Sequence, residues 1–185
     1  KNLVDLAEGP LGDSAIDIID RNFNENPWFI KDPRFCLLLP FWRKVLSVSP
    51  ILITVVRSAD SIAQSLDRRN GIPVDFGRQL TSIYLDSLIG SSQGLSNLVI
   101  SYEEALKDPK GSVELLMQFL VSNGVVLSGD ENKAAAALDC DDNHHPDSKL
   151  DEEIVRCHGK SLPTSFQSKE VRRDSLILGT ALASS

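Results

Sequence analysis

Apolar residues in this chain gather into two kinds of run. Ile51-Leu-Ile-Thr-Val-Val56 is apolar at nearly every position and is bounded by Pro50 and Arg57. Near-continuous apolarity over so short a length predicts a strand buried on both faces of a parallel sheet. Leu98-Val-Ile-Ser101, after Gly94, predicts a second, shorter strand. The pattern between them changes to a helical period. Ser58 is a suitable N-cap for a helix over 58–69 that carries Ile62, Ala63 and Leu66, and Asn70-Gly71 followed by Pro73 stops it. A second helix places Phe76, Leu80, Ile83, Tyr84 and Leu88 on one face and ends near Gly90. A third carries Val113, Leu116, Met117, Leu120 and Val121 and closes at Gly124. Ser128 and Glu131 have the spacing of a capping box ahead of an Ala-rich stretch over 134–138.

Upstream, a further short strand and a turn are expected within residues 28–39. Downstream of Cys140 the chain is polar and weakly periodic, which predicts loops, a terminal helix near 170–183, or an arm packed on a partner. Alternation of strand and helix predicts an α/β fold built on a parallel sheet.

Composition narrows the classes. The 185 residues are 42% hydrophobic and 24% charged, enough for a core in a single domain. The net charge of −7 argues against broad binding to nucleic acid or anionic lipid. No apolar run approaches the roughly 20 residues of a membrane span. The first residues lack the basic-then-apolar pattern of a secretory signal. Cys36, Cys140 and Cys157 are too few and too scattered for a disulfide framework, so a cytoplasmic location is expected. The only Met is Met117, which reads as a processed chain or a fragment.

Charge is unevenly spread. Residues 31–69 carry seven basic and three acidic side chains within an otherwise acidic chain. A short positive segment suits a compact anion better than a long polyanion. Arg57 lies at the carboxyl end of a predicted parallel strand. There the following helix offers free N–H groups and the positive end of its dipole. Ser65 lies eight residues on, about two turns along that helix. An Arg fork in the loop and a hydroxyl on the adjoining helix can grip one phosphate from two sides. The same residues also suit a plain ion pair and an exposed serine.

The order of four segments carries a resemblance. They are Trp28-Phe-Ile-Lys-Asp-Pro-Arg34, Pro50-Ile-Leu-Ile-Thr-Val-Val-Arg57, Ser65-Leu66 with Arg69-Asn-Gly71, and Ser101-Tyr-Glu-Glu-Ala-Leu-Lys-Asp-Pro109. Together they resemble the sulfotransferases that use 3′-phosphoadenosine 5′-phosphosulfate, in the bacterial branch with a Lys-Asp-Pro-Arg element, over residues 25–125. The resemblance implies a P-loop-like parallel sheet flanked by helices. It also implies transfer of a sulfuryl group to a hydroxyl or amine on a glycan or small molecule, with no metal. On the same basis Arg57 and Ser65 hold the donor's 3′-phosphate. Lys31 neutralises charge at the transfer centre, Asp32 is a candidate base, and Arg34 orients the acceptor. The Tyr-Glu-Glu run is mostly structural in that family.

The chain departs from the family's pattern at its start. No Gly-x-x-Arg-Ser-Gly-Thr-like loop for the 5′-phosphosulfate is found, and residues 1–24 contain only Gly9-Pro10 and Gly12. Holding the departing phosphate is most of the work in such a transfer. The expectation is therefore one domain over 1–185 lacking its first β-α unit, with a polar extension over 140–185. It is either an incomplete enzyme or a non-catalytic nucleotide-binding or protein-interaction remnant.

Cys140, His144, His145, Cys157 and His158 are zinc-type ligands, but their spacing matches no compact zinc module. No hydrolase elbow, Walker Gly-x4-Gly-Lys or Gly-x-Gly-x-x-Gly sequence occurs. Absence of a Walker Lys argues against a nucleotide kinase or NTPase.

Overall fold

A computed structural model describes residues 2–23 and 27–138, and the backbone of 176–183. In chain order the elements are α1 (Leu3–Ala7), α2 (Pro10–Asn22), β1 (Phe29–Asp32), α3 (Phe35–Val45), β2 (Ile51–Arg57), α4 (Ala59–Asn70), α5 (Val74–Ser91), β3 (Asn97–Ser101), α6 (Tyr102–Lys107), α7 (Pro109–Ser122), α8 (Glu131–Ala136) and β4 (Leu176–Ala183). The fold is mixed α/β.

The expected parallel pair is present. β2 and β3 run parallel in one sheet, with Leu52 opposite Asn97 and Val56 opposite Ser101. The chain between them holds α4 and α5, as a parallel crossover requires. The sheet is not purely parallel, however. Its order is β1-β4-β2-β3, and β4 pairs antiparallel with both β1 and β2. β1, β2 and β3 therefore share one direction, with β4 reversed between the first two. The expected helix near 170–183 is corrected to this strand. The run Leu176-Ile-Leu-Gly-Thr-Ala-Leu-Ala183 is too short and too evenly apolar for periodicity to choose between helix and strand.

The main core lies on one face of the sheet. Phe35, Cys36 and Leu39 of α3 meet Leu52 of β2, Ile62 of α4, and Leu85 and Leu88 of α5. Leu39, Leu52 and Leu88 are among the largest fully buried side chains, and each contributes about 1.5–3 kcal/mol. On the other face Ile51 packs with Val125, Phe119 and Leu120, beside the end of α7. β2 alternates between the two clusters and is the strand that unites them.

Local signals explain the ends of α4. The Ser58 hydroxyl caps its first turn by accepting from the Ser61 N–H, and Gly71 closes it at φ +66°, a left-handed value that glycine adopts at no steric cost. α3 is longer than the expected turn. It runs through Pro40, a residue that disguises it in sequence because proline removes an internal hydrogen bond.

The buried face of α5 also differs from expectation. Phe76 and Ile83 are more than half exposed, and Gly77, Thr81, Leu85 and Leu88 point inward. Small residues let two helices approach closely: a Cβ at Gly77 would lie 2.9 Å from the Ala63 Cα. Arg78 reinforces the contact by donating to Asp60 at 2.6 Å and to Asp75 at 2.7 Å. On α7 only Val113 is buried, and Val121 is exposed. α8 is capped by Asp130 rather than Ser128, because the Asp130 carboxylate reaches the Asn132 and Lys133 N–H groups.

Among the described residues, no helix is long and apolar enough to cross a membrane.

Candidate functional site

Arg57 is the last residue of β2 and Ser58 is the N-cap of α4. The parallel register sets Val56 opposite Ser101, so the next residues, Arg57 and Tyr102, leave neighbouring strands side by side. The Arg57 guanidinium lies 4.5 Å from the centroid of the Tyr102 ring. Its Nε is 3.9 Å from Glu103 Oε1, and the Ser58 N–H donates to that same oxygen at 3.5 Å. Arg57 is only 7% exposed and Ser58 1%.

Two hydroxyls complete the junction. Ser58 Oγ accepts from the Ser61 N–H at 3.0 Å and donates to Ser61 Oγ at 2.9 Å. Ser101 Oγ, the cap of α6, accepts from the Glu104 N–H at 3.3 Å and donates to Glu103 Oε2 at 3.4 Å. Ser65 lies four residues beyond Ser61 on the same stripe of α4 and is half-buried. The rise from Ala59 to Ser65 is about 9 Å, so a ligand touching both Arg57 and Ser65 would lie beside the first two turns.

The Lys31 group is built differently. Lys31 is exposed near the end of β1 and is level, across β4, with Ile53. Arg57 is four residues further along β2 and two strand positions away, about 16 Å by strand geometry. Asp32 and Arg34 are joined instead to each other. The Arg34 backbone N–H donates to Asp32 Oδ1 at 2.8 Å, and its Nε donates to the two carboxylate oxygens at 2.9 and 3.1 Å. A fourth contact, from Nη2 to Oδ2, is 2.5 Å. These bonds, led by the side-chain bond from Arg34, hold the Asp32 carboxyl at about 2. A carboxylate held there is a weak proton acceptor near neutrality.

The structure thus gathers Arg57, Ser58, Ser61, Tyr102 and Glu103 at the ends of β2 and β3, and leaves Lys31, Asp32 and Arg34 at the end of β1. Tyr102 and Glu103 are the residues whose part in the junction sequence reasoning passed over. Their signal was position: they follow the second strand of a parallel pair directly, as Arg57 ends the first. Among the described residues no group of His, Cys, Asp and Glu side chains could hold a metal ion. The Cys140, His144, His145, Cys157 and His158 set lies outside the described residues.

Comparison with models of known protein families, with curated proteins and with solved structures finds no match to this chain.

Proposed function

We propose that this chain is a sulfotransferase-like domain whose β2 strand end receives the 3′-phosphate of 3′-phosphoadenosine 5′-phosphosulfate. Arg57 and Ser65 are its contacts. The acceptor is a hydroxyl or amine on a glycan or small molecule. The observation that carries this reading is a buried arginine ending a parallel strand, followed directly by a capped helix. That junction gathers a cation and a helix dipole, the chemistry a phosphate monoester needs.

A second reading, binding without transfer, is favoured by the group on β1. Lys31 stands about 16 Å from Arg57 by strand geometry, and Asp32 and Arg34 are committed to each other. With no Gly-x-x-Arg-Ser-Gly-Thr-like loop in the sequence, we expect negligible sulfuryl transfer by this chain alone.

Calorimetry with adenosine 3′,5′-bisphosphate and adenosine 5′-phosphate tests the binding. Arg57→Ala should weaken the bisphosphate about ten- to a hundredfold and Ser65→Ala several-fold, following the strengths of charged and neutral hydrogen bonds. Affinity for the 5′-phosphate should change little. Equal losses for both nucleotides, at unchanged melting temperature, would refute a 3′-phosphate role. An assay with the phosphosulfate donor and sugar and phenol acceptors separates the two readings: robust turnover would rule out binding alone.

A further inference from the structure

The two groups that would hold an anion at the end of β2 already face one. Arg57 Nε lies 3.9 Å from Glu103 Oε1, and the Ser58 N–H donates to that oxygen at 3.5 Å. The second carboxylate oxygen accepts from Ser101 Oγ at 3.4 Å. The Glu103 side chain is 23% exposed, against 8% for the Arg57 side chain. Glu103 is therefore the more exposed partner of the pair.

We infer that Glu103 is a built-in competitor for anions at this strand end, one that weakens the binding of any anion until its carboxylate is displaced. The inference rests on the phosphate-binding reading above and adds a regulating residue to it. Its first support is coincidence of place: a carboxylate reached by both an arginine Nε and the N–H at the start of a helix is where an incoming anion would sit. Its second support is looseness. Charge-assisted N–H···O bonds are ordinarily about 2.7–2.9 Å long. The contacts to Glu103 all exceed that range. A carboxylate held so loosely yields by rotation about its own side-chain bonds, with no movement of the strands.

The competition follows from place and charge. The Glu103 carboxylate occupies the position an incoming anion would take beside Arg57 and the Ser58 N–H. Every anion must first displace it, so each binds more weakly by the same factor than it would without that carboxylate.

Glu103→Gln removes the charge and keeps the shape. Titrations of wild type, Glu103→Gln and the double variant Arg57→Ala/Glu103→Gln would use inorganic sulfate and adenosine 3′,5′-bisphosphate. Glu103→Gln should bind both about tenfold more tightly, because a like charge has been removed beside the ligand. The double variant should lose that gain. Glu103→Asp, which draws the carboxylate back by one methylene, should move affinity the same way by a smaller factor. It serves as the test if Glu103→Gln melts early.

The outcomes separate the two ideas. A gain for sulfate that depends on Arg57, without nucleotide binding, upholds the role of Glu103 and overturns the nucleotide reading. Bisphosphate binding that depends on Arg57, with neither Glu103 variant any tighter, overturns the role of Glu103 and keeps the nucleotide reading. Failure of every variant to bind either ligand overturns both.

Discussion

The guanidinium of Arg57 rests over the ring of Tyr102, 4.5 Å from its centroid. The contact follows from the parallel register, because both residues come one step after the paired Val56 and Ser101. A desolvated cation over an aromatic face contributes about 2 kcal/mol. Tyr102→Leu keeps an apolar side chain and removes the face, so it should lower stability to urea by about 1–2 kcal/mol. Combined with Arg57→Met, the losses should fall short of their sum, as expected for residues in contact. Strict additivity would show that ring and guanidinium do not interact.

Gly77 marks a close approach of α4 and α5. Its missing Cβ would sit 2.9 Å from Ala63 Cα and 3.0 Å from Ala63 Cβ. Gly77→Ala gains helix propensity but forces two backbones apart, and the second effect wins: we expect a loss of about 1–3 kcal/mol. Ala63→Gly in the same molecule should restore part of it. Thermal melts of the single and double variants check this, and a Gly77→Ala protein more stable than wild type would contradict the packing described.

Asp32 predicts a pH dependence with a definite sign. Folding lowers its pKa from the ordinary 3.8 to about 2, chiefly through the Arg34 side chain. The folded state thus favours the ionised form. This contribution is complete above the unfolded value and is lost as pH falls through the folded one. The stability difference between wild type and Asp32→Asn should stay level from pH 7 to 5 and shrink from 4 towards 2. Arg34 is largely exposed, so the difference itself should be small. Urea titrations across that range would detect a difference independent of pH, which would count against the pairing.

Thr54 is 2% exposed and donates to Asn97 Oδ1 at 2.9 Å, tying β2 to β3 through side chains. Thr54→Val keeps the shape and β-branching and deletes the donor. It should cost about 1 kcal/mol, the net strength of one such bond. Thr54→Ser keeps the hydroxyl and should differ from wild type only through its missing methyl group. If Thr54→Val is as stable as wild type, the hydroxyl does not hold the strands together.

Short-range pattern alone was enough to place β2, α4 and β3 and to put Arg57 at a strand end. Each depends on neighbours in sequence: an unbroken β-branched run, a serine cap, and an Asn-Gly stop. Asp32 and Arg34, two residues apart, form the local pair that their spacing permits, and only the structure showed that both carboxylate oxygens accept from Arg34. Tertiary structure decided what distant segments do to one another. The inward face of α5 was not Phe76 and Ile83, because Gly77 allowed Ala63 to come close, and that preference exists only when α4 is present. Helix α3 was hidden by Pro40, whose lost hydrogen bond is outweighed by burial of Phe35, Cys36 and Leu39 in the shared core. The reversed strand β4 has no sequence signal at all in β1 or β2; strand pairing is made by backbone groups that every residue carries. Glu103 reaches Arg57 for the same reason. Separated by 46 positions, the two meet only because the backbone register of β2 and β3 brings their strand ends together.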